Sequence, residues 1–380
     1  MAPLNVGLED VVVATSTITF IDGDKGILRY RGYDVNELAE KSTYEETAYL
    51  LLNGQLPTAS QLADFQKDLR ANRAVPPTVL QIIKQIPSGA DPMGTLRTAV
   101  SALSAFDPEA EDNSEPANVR KTIRLTGQVA TLVAAIERIR KKQEPISPDP
   151  SLDHAANFLY MLTGNKPDDL ARRAIDIALI LQADHELNAS TFSGRVTVAT
   201  LSDIYSGVTS AVGTLKGPLH GGANQKVMEM LNKVATPDKV EPFVKEQLAA
   251  KKKIMGFGHR VYSTIDPRAA ILKRTSKELS IKVGPAKWYE MSETMEALVL
   301  REKKLNPNLD FYSATVYNYL GIEIDLYPMI FAASRVVGWC THLIEQYRNN
   351  RLIRPLTEYA GAPLQQYTPI AQRTGSVAAR

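Results

Sequence analysis

The chain is predicted to be an all-α protein, two domains long, with one small β element near its start. Three observations predict this. Extended, alternating residues are confined to positions 17–32; helix starts, stops and periods dominate everything after them; and strands never alternate with helices, which argues against a parallel sheet. At 380 residues the chain has room for two domains and a large core.

The β element is a hairpin. Residues 17–21 (TITFI) alternate weakly, Asp22-Gly23-Asp24 is a turn signal, and residues 26–32 (GILRYRG) return. Helices follow. Ser42 with Glu45 forms a capping box ahead of Ala48, Leu51 and Leu52, and Gly54 closes that helix. Thr58 with Gln61 repeats the device. Within 123–139, Leu125, Val129, Leu132, Val133, Ile136 and Ile139 recur at helical spacing. Phe158, Leu159 and Leu162 run into Gly164, a second C-terminal stop, and 174–182 continues the pattern. The acidic stretch 107–118 carries two prolines and is expected to be a surface loop; 143–149, with Pro145 and Pro148 and Pro150 beyond, is another connection. From Gly361 onward the pattern fades into a tail, either flexible or laid on a partner.

Composition excludes several classes. A net charge of +2 is too small for a nucleic-acid binder, and no apolar run reaches the length of a membrane span. No basic-then-apolar leader opens the chain. The lone cysteine, Cys340, permits no intrachain disulfide, so a reducing compartment is expected; its apolar helical setting with Val337 and Leu343 makes it core rather than nucleophile.

The five histidines are His154, His185, His220, His259 and His342. His220 lies in GPLHGGAN, His259 in GFGHR and His185 in DHELN. Glycine beside histidine lets backbone approach a ligand closely, whereas a single such pair is more often a core histidine at a helix end. Two in one chain favour a site. Asp310, in PNLDFYS, has two readings: the N-cap that starts a helix, which the local sequence favours, or a carboxylate whose apolar neighbours Leu309 and Phe311 raise its pKa and make it a base.

Quoted in order, LQADHELNASTFSGR, GPLHGGAN, GFGHRVYSTIDPRA, PNLDFYSATVYNYLGI, SRVVGWCTHLIEQ and RLIRP resemble the citrate synthase family, and the resemblance covers nearly the whole chain. It implies the two-domain citrate synthase-like fold, with a large helical domain from 1–216 and 320–380 and a small domain, 217–319, closing over the active site about a hinge near Gly213 and Gly217. It implies His220 as hydrogen-bond donor to a thioester oxygen, Asp310 as the base that takes a proton from the acetyl methyl group, and His259 as donor to the oxaloacetate carbonyl. His185, Arg268, Arg335 and Arg354 would bind oxaloacetate, whose two carboxylates suit guanidinium forks. Arg354 would reach into the neighbouring subunit's site, which implies a homodimer; some relatives assemble further, to hexamers. For CoA the resemblance implies the stretch Lys253, Ile254, Met255, Gly256, Phe257 and Gly258, together with Asn308. Many relatives have a basic residue where this chain has Ser263, so Lys251, Lys252, Lys253, Lys303 or Lys304 would have to meet the phosphates; alternatively these lysines are a solvated run. The implied enzyme is cytoplasmic, has acetyl-CoA as co-substrate and holds no permanent cofactor.

Other readings are weaker. Gly256-Phe257-Gly258 lacks the third glycine and preceding strand of a dinucleotide site, and His185-Glu186 lacks the second histidine of a zinc protease, so no metal set is expected. Two alternatives are kept: a 2-methylcitrate synthase using propionyl-CoA, and a helical assembly protein without catalysis. The retained His220, His259, Asp310 and arginines argue against the second.

Overall fold

The computed structural model describes residues 5–8 and 11–373. It divides into a body, Ser16–Leu352, and a separate unit formed by the two chain ends, Met1–Thr15 and Ile353–Arg380. All sixteen α-helices among the described residues belong to the body. The terminal unit has only two short 3-10 turns, Val6–Leu8 and Ile370–Gln372. The expected tail from Gly361 is otherwise irregular and exposed as far as Arg373, and residues 374–380 lie outside the described set.

The hairpin is present and gains a third strand. Thr19–Asp22 pairs antiparallel with Ile27–Tyr30, which pairs with the two-residue strand Tyr33–Asp34. Asp22 faces Ile27, so residues 23–26 form the turn.

Several helix boundaries follow the sequence. Thr58 and Gln61 form the reciprocal capping box, and both Gly54 and Gly164 end their helices in the left-handed conformation. Two expectations need correction. The cap of the Tyr44–Asn53 helix is Thr43, whose side chain accepts from Glu46 N, while Ser42 ends the preceding helix. Glu45 is buried instead, accepting from His154 N at 3.2 Å and Gln66 Nε2 at 2.8 Å, so its carboxylate ties neighbouring segments together. The loop expected over 107–118 stops at Ser114. Pro116 lies in the first turn of the Glu115–Arg140 helix, where a missing N–H leaves no hydrogen bond unmade.

The Tyr327–Arg348 helix runs through the middle of the body. It is buried on every face from Tyr327 to Ile344 and packs on the helices Glu115–Arg140, Ala189–Val198, Ile204–Leu215 and Asp169–Gln182. A helix apolar all round must be interior, and Cys340 and Trp339 are fully buried in it. The helices Ala223–Val234, Pro267–Lys282 and Lys287–Lys303 gather around Leu309–Tyr319. Among the described residues no helix is long and apolar enough to cross a membrane.

Candidate active site

Six of the residues that the sequence singles out, His185, His220, His259, Arg268, Asp310 and Arg335, lie at or beside helix ends or on the central helix and are within electrostatic reach of one another. Asp310 is the second residue of the Leu309–Tyr319 helix. The cap is Asn308, whose Oδ1 accepts from Asp310 N at 3.0 Å, so the Asp310 carboxylate is free for other work and the N-cap reading of Asp310 is set aside. Burial pushes that carboxyl up to about 6, although Arg268 and Arg335 pull the other way. A carboxylate with a pKa near neutrality is a stronger base than an exposed one and still ionised at pH 7.

His259 is set by its loop. Gly256 and Gly258 both have positive φ, and a Cβ on Gly256 would lie 2.8 Å from Phe311 and Val227. Only glycine lets this chain turn there against the helix that carries Asp310. His259 Nδ1 accepts from Val261 N at 3.0 Å and Tyr262 N at 3.3 Å, so the ring proton resides on Nε2. His185, buried between two helices, lies 5.4 Å from the His259 ring centroid, with Nε2 3.1 Å from the Tyr262 hydroxyl.

His220 precedes the Ala223–Val234 helix, whose N-terminus has no side-chain cap. Its Nε2 lies 2.8 Å from Ser190 Oγ. That hydroxyl receives Trp339 Nε1 at 3.0 Å and lies 2.7 Å from Asn188 Oδ1, to which it can donate, while the tautomer of His220 sets whether Nε2 donates to the hydroxyl or accepts from it. Burial is the main cause that pushes both His220 and His259 down to about 4, with Arg335 adding to the first and Arg268 to the second; His185 is pushed well below its ordinary value for the same reason. All three rings are therefore neutral at pH 7.

Two arginines complete the cluster. Arg335, on the central helix, donates from Nε to Gln182 O at 2.6 Å and lies over the Phe331 ring at 4.8 Å. Its Nη2 is buried without a hydrogen-bond partner, a cost that an anionic ligand would relieve. Burial pushes its guanidinium down to about 10, which leaves it charged. Arg268 is buried and held in a fork by Asp266, with Nε–Oδ1 and Nη2–Oδ2 both 2.9 Å. Asp266 also accepts from Leu309 N at 2.9 Å and so ties Arg268 to the start of the Asp310 helix. Arg354 lies in the terminal unit, in an exposed stretch without helix or strand.

The stretch implied for CoA forms a clip with residues 306–308. Phe257 pairs with Pro307, Gly258 N donates to Asn306 O at 3.0 Å, Asn308 N donates to Gly256 O at 2.9 Å, and Asn308 Nδ2 donates to Gly258 O at 2.9 Å. Ile254 is buried, Met255 half-buried, and Lys251, Lys252, Lys253, Lys303 and Lys304 stand exposed on the flanks of the clip. Ser263 Oγ donates to Asp24 Oδ1 at 2.7 Å.

Sequence reasoning missed Tyr262, Ser190 and Asp266. Each lies within a motif already singled out, and each acts through a partner distant in sequence or outside the motif's obvious residue. The signal available was an O–H or carboxylate beside a candidate histidine or arginine.

A buried carboxyl of raised pKa, neutral imidazoles and buried guanidinium groups, one with an unpartnered Nη2, are the groups that an acid–base enzyme acting on an anionic substrate needs. Residues 7–356 match the family model described as citrate synthase, C-terminal domain. Citrate synthase 2 of Bacillus subtilis strain 168 is 50% identical over 97% of this chain and 98% of its own length. The crystal structure of citrate synthase from Pyrobaculum aerophilum superposes with a TM-score of 0.92 at 41% identity, covering 97% of this chain and 95% of that one. Citrate synthase from Thermoplasma acidophilum, in a ternary complex with carboxymethyl coenzyme A and oxaloacetate, gives 0.91 at 37% identity, covering 97% of this chain and 98% of that one. The chain belongs to the citrate synthase family, and the fold is the mostly helical one expected.

Proposed function

We propose that this chain condenses acetyl-CoA with oxaloacetate and water, giving citrate and CoA. The observation that carries this reading is the cluster itself: a carboxyl with a pKa near 6 is within the electrostatic reach of Arg268 and Arg335, which also act on the neutral His259 and His220, and Arg335 Nη2 is unpartnered. Asp310 removes a methyl proton from the thioester. The electron pair moves onto the thioester oxygen, which His220 stabilises by donating a hydrogen bond. For Nδ1 to be the donor, the Ser190 proton must lie on the His220 side of its bridge. The enol carbon then attacks the oxaloacetate ketone carbon, and His259 passes the Nε2 proton to the new alkoxide. Water cleaves the resulting citryl thioester, releasing CoA as the thiol.

Arg335, Arg268 and His185 hold oxaloacetate, joined by Arg354 of the partner subunit in a homodimer; assembly beyond the dimer is a further possibility of the family. Residues 217–319 act as a small domain that closes about a hinge near Gly213 and Gly217 on the rest, 1–216 and 320–380, so oxaloacetate binds first. CoA lies along 253–258 and Asn308. With Ser263 turned to Asp24, the lysines flanking the clip are the better source of charge for its phosphates. The single, buried cysteine fits a cytoplasmic enzyme.

The direct test follows CoA release from oxaloacetate with acetyl-CoA or propionyl-CoA. Faster release with acetyl-CoA is expected. Propionyl-CoA adds one methylene, for which an apolar pocket discriminates by about 1–3 kcal/mol, and a preference for it would transfer the assignment to 2-methylcitrate synthesis. No release with either would overturn the reading. The pH profile is a second test. Asp310 must be ionised, so kcat/KM should rise tenfold per pH unit below about 6 and level off above it. A profile flat down to pH 5 would remove Asp310 as the base.

A further inference from the structure

We propose that the turn of the N-terminal hairpin, residues 23–26, is a positioning element for His259; this rests on the reaction proposed above. The turn is pressed against the segment that carries the histidine. Ser263 N donates to Gly23 O at 3.1 Å, and Ser263 Oγ donates to Asp24 Oδ1 at 2.7 Å. A Cβ on Gly23 would lie 2.0 Å from Val261 O, and one on Gly26 would lie 2.7 Å from Ile265 O. Backbone thus meets backbone with no space for a methyl group.

The segment under this contact is the one that orients the ring. Val261 N and Tyr262 N are the donors to His259 Nδ1, and the Tyr262 hydroxyl meets His185. The other side of the hairpin reaches the His185 loop: Tyr30 Oη donates to Asp184 O at 2.9 Å, and Thr19 Oγ1 donates to Asp184 Oδ2. The hairpin of the three-stranded sheet therefore contacts both histidine loops. The turn joins residues before 217 to residues within 217–319, so the contact can form only when those two parts are together.

Gly23 makes the idea testable. Its φ is outside the left-handed region, so alanine there is free of backbone strain, unlike Gly26 at φ +64. The cost of Gly23→Ala falls on docking against Val261 rather than on the hairpin. The experiment measures CoA release against oxaloacetate concentration, thermal unfolding, and amide hydrogen exchange of residues 259–266 with and without oxaloacetate. It compares the wild type, Gly23→Ala, and Gly89→Ala, a control with open space around its Cβ. In Gly23→Ala the oxaloacetate KM should rise and kcat fall, lowering kcat/KM roughly tenfold to a hundredfold, as for a misplacement of about 1 Å. The melting temperature should stay near the wild-type value, and oxaloacetate should no longer protect 259–266. Asp24→Ala should move the same quantities less, and Asp24→Asn, which keeps the acceptor, should restore them. Wild-type kinetics in Gly23→Ala would overturn the inference. So would a fall in kcat matched by a lower melting temperature with KM and exchange unchanged, because that is only loss of fold. A wild-type chain that releases no CoA would overturn the proposed reaction, and this inference with it.

Discussion

Asp310→Asn should abolish turnover and at the same time stabilise the protein. The first half follows from the mechanism. An amide cannot take the methyl proton, and loss of a positioned base lowers rates by about 10²–10⁴-fold. The second half follows from the pKa. Burial raises the folded-state value to about 6 from an ordinary value of 3.8. The folded state therefore binds the proton more tightly than the unfolded chain does. Its stability from this group is full below pH 4, falls as the pH rises from 4 to 6, and stays low above 6. The shift of about two units corresponds to about 3 kcal/mol at most. Asparagine carries no charge to bury, so the variant should unfold at higher temperature or denaturant at pH 7.5, with the gap closing by pH 4. Urea unfolding at pH 4, 5, 6 and 7.5 checks this. A variant less stable at every pH would mean that the carboxylate makes folding contacts that its present geometry does not reveal. A fully active variant would remove Asp310 from the mechanism.

The candidate site was more legible than its supports, for a physical reason. His220 and His259 are marked by the glycines beside them, whereas Arg335, in a helix buried from Tyr327 to Ile344, is reached only through the resemblance to the family. The glycine signals are local, so one strand of sequence carries them. Glu45 was misread as a capping residue because its spacing to Ser42 is right; its true role needs Gln66 and the amide of His154, which only the fold brings near. Asp310 shows the converse. Local sequence favoured a cap, but Asn308 two positions earlier takes that role and leaves the carboxylate buried near Arg268 and Arg335. The helical class, the hairpin and the glycine stops were readable from period and turn chemistry. The third strand, two residues long, was not, since it exists only through its pairing with Tyr30 and Arg29.

Mixing two inactive variants should restore activity if the site is shared between subunits. Within one chain, Arg354 belongs to an exposed arm whose apolar side chains face solvent: Leu356 is 86% exposed, Tyr367 82% and Ile370 78%. In the proposed homodimer, a second copy would cover these exposed apolar side chains. Arg354→Ala should lose on the order of a hundredfold in kcat/KM for oxaloacetate, because a charge-assisted carboxylate bond contributes about 1.5–3 kcal/mol. Asp310→Asn is dead for a different reason. In a mixed dimer, one site takes Asp310 from the first chain and Arg354 from the second, and is intact; the other site carries both defects. Random pairing of equal amounts makes about half the dimers mixed, so about a quarter of wild-type activity should return. Mixed dimers isolated with two different tags should reach about half. If Arg354 instead serves its own chain, every site in the mixture keeps one defect and activity stays near the background of the separate variants. That outcome would assign the arm to its own subunit and remove the shared site, while leaving the roles of Asp310 and the histidines as they stand.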